Sequence, residues 1–219
     1  MKSKWIALVL AAVLCVGSVP VWAEESADTE EKQISFVDVP DGHEAYEAVM
    51  SLAASGVVNG KSDTEFAPDD SLKREEFAKI LVNAFNLSEN SKAPVFNDVP
   101  AGTWYANYVR AAAASGLVEG IGSDDFGVGL TLSRQDMALI LSRFLERKNV
   151  KVSNDNTVVY ADCNDIAEYA KVAVEALASA GVLPVGADNC VHPQENASRA
   201  DAARAIYAAL NMERTQALA

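Results

Sequence analysis

Three arginines stand at one place in a pattern that the chain writes three times: Arg74 in Lys73-Arg74-Glu75-Glu76, Arg134 in Ser133-Arg134-Gln135-Asp136 and Arg199 in Ser198-Arg199-Ala200-Asp201. Each precedes apolar residues at helical spacing, which puts it in the first turn of a helix. Unpaired backbone N–H groups and the positive end of the helix dipole favour an anion there. A guanidinium adds a planar fork that grips a carboxylate through two hydrogen bonds. The chemistry on offer is recognition of acidic groups. A second role stays open for each arginine, an ion pair with the acid two residues on or with an acid of a neighbouring repeat, which is worth little where it is exposed.

Nothing else in the chain assembles into reaction chemistry. The two histidines, His43 and His192, lie far apart, and the chain has no Gly-x-Ser-x-Gly turn, zinc-ligand spacing or nucleotide-binding loop. The acidic loops at Asp63, Glu65, Asp69 and Asp70 and at Asp124-Asp125 lack the spacing of a calcium-binding helix-loop-helix and read as solvated loops. No metal and no cofactor is expected.

The elements that position the arginines follow from the repeat. Phe36-Val37-Asp38-Val39-Pro40 returns as Phe96-Asn97-Asp98-Val99-Pro100, Gly56 and Gly60 return as Gly116 and Gly120, and Phe66 returns as Phe126. A more divergent copy runs from Tyr160-Ala161-Asp162 through Gly181 to Arg199. A fixed period of this kind means that one supersecondary unit is repeated and that the copies build a shared core. In each copy a first apolar stripe (Val49, Leu52, Ala53; Val109, Ala112, Ala113; Val174, Leu177, Ala178) ends at Gly56, Gly116 or Gly181, which suit the left-handed position after a helix. A second stripe follows the arginine: Phe77, Ile80, Leu81, Ala84, Phe85; Met137, Ile140, Leu141, Phe144, Leu145; and a thinner Ala202, Ala205, Ile206, Ala209, Leu210. Ser133 with Asp136 and Ser198 with Asp201 form capping boxes, whereas Lys73 replaces the hydroxyl before Glu76. Asp38, Asp98 and Asp162 are expected to accept backbone hydrogen bonds at the start of each unit. Polar linkers run from Ser88 to Ala93 and from Asn149 to Thr157.

The chain opens as a secretory signal, with Lys2 and Lys4, an apolar run from Trp5 to Val16, and Val21-Trp22-Ala23 before two glutamates. Cleavage after Ala23 removes Cys15 and leaves an acidic leader over residues 24–34, expected to be disordered. Losing Lys2 and Lys4 takes the formal charge from −13 to −15, which argues against nucleic acid as a partner. No later stretch is apolar enough to span a membrane. Cys163 and Cys190 remain, and export permits a structural disulfide between them that geometry must decide.

The ordered set of Phe-x-Asp-Val-Pro, a helix ending at glycine, a Phe66-Ala67-Pro68 loop and the Lys73-Arg74-Glu75-Glu76, Ser133-Arg134-Gln135-Asp136 and Ser198-Arg199-Ala200-Asp201 elements resembles three tandem S-layer homology domains. The resemblance implies an all-α fold of three helical-hairpin repeats, over residues 35–87, 95–148 and 158–212, packed as a pseudo-threefold assembly. It implies a non-catalytic, exported module of the cell envelope, cell wall or S-layer. Its partner would be a cell-wall glycopolymer or peptidoglycan, bound in inter-repeat grooves with Arg74, Arg134 and Arg199 contacting the polymer, often at a pyruvyl ketal. The glycines would let backbone approach the ligand. Sugar rings also pack on flat apolar faces. Trp104 occupies the position where the family often has tryptophan, and Tyr169 matches it in the third copy. Glu44 matches it in the first, so unequal grooves are expected. Plain packing between repeats is the other role open to Trp104. The alternative for the whole chain is a structural envelope protein whose repeats self-associate or dock another envelope protein. No cargo domain is expected beside the repeats.

Overall fold

A computed structural model describes residues 34–88, 93–122, 124–152 and 159–218. The expected signal segment, all of the acidic leader but Ile34, and most of both linkers lie outside the described residues. Each repeat contributes two helices: α1 (Tyr46–Ala54) and α2 (Arg74–Phe85), α3 (Ala106–Ala114) and α4 (Arg134–Arg147), then α5 (Lys171–Ser179) and α6 (Arg199–Ala217). Two short 3-10 turns, Cys163–Asp165 and Glu168–Ala170, precede α5. The fold is all-α, as expected from the stripes, and among the described residues no helix is long and apolar enough to cross a membrane.

The helix ends obey local rules. Gly56, Gly116 and Gly181 sit at φ of 70°, 68° and 72°, each one residue past a helix C-cap, where a Cβ would be strained. At the second helices, Ser133 and Ser198 accept the backbone N–H groups of Asp136 and Asp201. Lys73 cannot, and only the other half of the box forms there, the Lys73 N–H donating to Glu76 at 2.9 Å.

Packing closes the repeats into a ring. Helix α2 packs most extensively on α3, α4 on α5, and α6 returns to α1. Each unit therefore buries its apolar stripes chiefly against its neighbours, which suits units too small to form a core alone. The closure is also written in the backbone. Leu132 N–H donates to the Leu72 carbonyl, Leu72 N–H to that of Ala197, and Ala197 N–H to that of Leu132, at 2.8–2.9 Å. These three equivalent residues are almost fully buried and mark the pseudo-threefold axis. The N–H groups of Arg74, Arg134 and Arg199 donate outward from this ring to the carbonyls of Leu130, Glu195 and Asp70. The three arginines are thus fixed at the three boundaries between repeats.

Candidate functional site

Each arginine reaches across its boundary and holds the loop of the next repeat in the ring. Arg74 Nε donates to the Phe126 carbonyl at 3.0 Å and Nη2 to that of Glu119 at 2.9 Å. Arg199 does the same to Phe66, at 2.8 Å, and Asn59, at 2.7 Å. Arg134 holds the carbonyls of Val191 and Pro184. Beneath each loop lies an aspartate. The Asp38 carboxylate accepts the N–H groups of Phe66 and Ala67, Asp98 those of Phe126, Gly127 and Val128, and Asp162 those of Val191 and His192, at 2.6–3.0 Å. Aspartate thus holds the N–H groups of each loop and arginine its carbonyls. Burial opposes the charge on Asp38 and Asp98, but the donated N–H groups outweigh it and hold both carboxyls below their ordinary value.

Three grooves result, the first two drawing on all three repeats and the third on the first and last. The first, about 240 Å³, is lined by Arg199, Asn59, Gly60, Glu76, Lys79 and Trp104. In the second, about 520 Å³, Arg74 meets Glu119, Asp136, Leu139, Arg143 and Tyr169. The third is the smallest, about 190 Å³, and Glu44, Glu47, Pro184, Arg204 and Tyr207 line it.

In the first two grooves the guanidinium stacks on a phenylalanine, Arg199 on Phe66 at 4.4 Å and Arg74 on Phe126 at 5.0 Å, an attraction of the cation to the ring face. Neither arginine has an ion-pair partner among the described residues. Burial pulls both below their ordinary pKa, while nearby acids, Asp136 for Arg74 and Glu76 for Arg199, push back. Both stay cations at neutral pH, as guanidinium groups do. Trp104 is 56% exposed and Tyr169 60% exposed, so packing between repeats does not account for Trp104. The Tyr169 hydroxyl donates to Asp136 at 2.8 Å and accepts from Gln135 Nε2 at 3.1 Å. Burial, with the Asp136 hydrogen bond behind it, pushes this phenol up to about 12.

The third groove is different. Arg134 is only 7% exposed, and its Nη1 pairs with Asp201. Val191 stands where the other loops have phenylalanine, and Glu44 stands at the aromatic position and pairs with Arg204 at 3.0 Å. The Glu47 carboxylate accepts the Tyr207 hydroxyl at 2.7 Å. Here the arginine meets an acid of the neighbouring repeat.

The structure brings Arg199 together with Trp104 and Arg74 with Tyr169, and it adds Asp201, Lys79, Arg143 and Arg204, which were not among the residues expected from the sequence to touch a ligand. Lys79, Leu139 and Arg204 occupy one position in α2, α4 and α6, five residues after each arginine. That shared register is the signal that could have found them. Cys163 and Cys190 stand as half-buried free thiols, so the permitted bridge is not formed here.

A family model, the S-layer homology domain, matches residues 35–78, 95–138 and 160–203. The chain belongs to the S-layer homology family. S-layer homology domains are non-catalytic attachment modules, and the chain is an exported, envelope-associated protein by this membership. It is similar to an amylopullulanase of Thermoanaerobacterium thermosulfurigenes, 30% identical over 80% of this chain and 9% of that protein. It is also similar to the S-layer protein EA1 of Bacillus anthracis, 30% identical over 78% of this chain and 20% of that protein. A cellulosome-anchoring protein of Acetivibrio thermocellus is 27% identical over 67% of this chain and 34% of that protein. The chain thus spans about a third or less of the length of these relatives.

Proposed function

We propose that the chain anchors itself to the envelope by binding an anionic cell-wall glycopolymer, with pyruvyl carboxylates as the preferred acidic group, in the first two grooves. The single observation that carries this reading is the pairing of a ring-stacked arginine, without a direct ion-pair partner among the described residues, with an exposed aromatic from another repeat, Arg199 with Trp104 and Arg74 with Tyr169. The arginine fork supplies bidentate hydrogen bonds to the acid, and the ring supplies a flat face for pyranose C–H groups. Beside the third groove Asp201 occupies the Arg134 cation, so that groove contributes little. At long range the acidic protein and an anionic polymer repel, and moderate salt or a divalent cation eases association.

Co-sedimentation with purified sacculi, before and after acid extraction of the attached polymers, tests the proposal. Sedimentation that disappears on extraction and in an Arg74→Ala, Arg199→Ala variant with unchanged circular dichroism supports it. A second reading, docking of another envelope protein, draws on the exposed Ile121 and Leu130 near the second groove. Wild type that stays soluble with walls from its own source favours that reading.

A further inference from the structure

The loop between residues 186 and 195 is unlike its two counterparts. Where the first copy has Glu65 and Ala67 and the second Asp125 and Gly127, the third has Cys190 and His192. The chain holds 2 histidines and 3 cysteines, one of them in the expected signal, so two of its rarest metal-binding side chains fall within one turn of loop. Asp188 joins them. The carboxylate of Asp188, the thiol of Cys190 and the imidazole of His192 bring one donor atom each to within 4.8 Å of one another. His192 Nε2 lies 3.1 Å from Asp188 Oδ2. Donors held about 2.0–2.3 Å from a tetrahedral ion stand roughly 3–4 Å apart, so small side-chain rotations suffice to close the set.

The loop is already shaped for this. Asn189 and His192 take left-handed φ of 61° and 48°, which turns the chain back so that alternate residues converge. Gly186 N–H donates to the Cys190 carbonyl at 2.9 Å and Cys190 N–H to Asp188 Oδ1 at 3.1 Å. From below, Asp162 holds the N–H groups of Val191 and His192 at 3.0 and 2.7 Å. On the far side of the imidazole, His192 Nδ1 faces Glu195 Oε1 at 3.3 Å. A carboxylate there fixes the proton on Nδ1 and leaves the Nε2 lone pair for a metal, the arrangement that commonly supports metal-bound histidines. Linear spacing gave no such signal, because Asp-x-Cys-x-His matches no familiar ligand pattern.

We propose that Asp188, Cys190 and His192 form a site for a divalent transition ion of the zinc class, with Glu195 as the positioning residue behind His192. The mixed sulfur, nitrogen and oxygen donors select such an ion over calcium or magnesium, which take oxygen ligands alone. Three protein donors leave a fourth position for water, and the cluster is open to solvent. The ion would brace the loop whose Val191 carbonyl seats Arg134.

Cobalt(II) titration of the full secreted chain, reduced and then freed of reductant without exposure to air, tests the site. Wild type is expected to take up one Co²⁺ with a thiolate-to-cobalt charge-transfer band and tetrahedral visible bands, bleached by equimolar Zn²⁺. Cys190→Ser abolishes the charge-transfer band, Glu195→Gln weakens binding by about tenfold, and Cys163→Ser leaves both unchanged. His192→Asn, which tolerates the left-handed backbone, weakens binding at least as much as the Glu195 change. Circular dichroism verifies that each variant folds. Absence of the band in reduced wild type, its survival in Cys190→Ser, its equal loss in Cys163→Ser, or complete Cys163–Cys190 bridging in protein secreted by its source would overturn the proposal.

Discussion

Asp201 touches Arg134 with one carboxylate oxygen and, with the other, accepts the backbone N–H of Ser198 at 3.0 Å. One side chain thus caps the helix that begins the last repeat and neutralises the arginine of the third groove. Its counterparts do not do both. Asp136 accepts the hydroxyls of Tyr169 and Ser133, at 2.8 and 2.7 Å, and Glu76 accepts the Lys73 N–H. At the aromatic position of the second groove Tyr169 donates to Asp136, whereas Glu44 in the third offers no donor and pairs with Arg204.

Replacing Asp201 with asparagine should free Arg134 while keeping a capping acceptor. We expect the variant to lose stability, on the order of 3 kcal/mol from leaving a buried cation unpaired. It should also gain weak polymer binding in the third groove, read by urea unfolding and by titration with acid-released polymer.

Tyr169→Phe should weaken the second groove although it keeps the ring, because Asp136 is then free to pair with Arg74. Tyr169→Phe combined with Asp136→Asn should recover most of the loss, and Tyr169→Ala should not be rescued that way. Polymer titration of Tyr169→Phe and Tyr169→Ala, each with and without Asp136→Asn, checks this coupling.

Acid should loosen the assembly. Burial works against the Asp201 charge, but Arg134 and the Ser198 N–H outweigh it, so this carboxyl, like those of Asp38 and Asp98, lies below its ordinary value in the folded chain. Depressed carboxylates stabilise the fold above their unfolded pKa of about 4 and lose that contribution as pH falls through the folded values. The urea midpoint should hold steady from neutrality to about pH 5 and decline below about pH 4. Asp98→Asn should reduce that dependence at a cost on the order of 2 kcal/mol, since it weakens acceptance of three backbone N–H groups.

Gly127 has φ of 92°, and a Cβ there would lie 3.2 Å from Arg74 Nε. Gly127→Ala should therefore cost about 1 kcal/mol and reduce binding in the second groove more than in the first, where Ala67 already fills the matching position at φ of 59°.

Local features were legible in the sequence because local rules govern them. The helix-ending glycines, the capping serines and the apolar stripes needed only neighbours a few residues away. The grooves were less legible, since the first two each join an arginine, a loop and an aromatic from three different repeats, and that placement depends on the ring closed at Leu72, Leu132 and Ala197. Asp201 was hidden for another reason. Ser198-Arg199-Ala200-Asp201 and Ser133-Arg134-Gln135-Asp136 read alike, and what differs is the residue opposite, Glu44 or Tyr169, which lies far away in the sequence. The wider register of Lys79, Leu139 and Arg204 was present in the sequence, but nothing local marked it as a groove wall.

The most direct test is calorimetric titration of the secreted chain with acid-released wall polymer, comparing wild type with Arg74→Met, Arg199→Met and the double variant. Two binding events per chain are expected in wild type, one in each single variant, and none in the double variant despite an intact Arg134. Three equivalent events in wild type, or undiminished binding in the double variant, would contradict binding in the first two grooves.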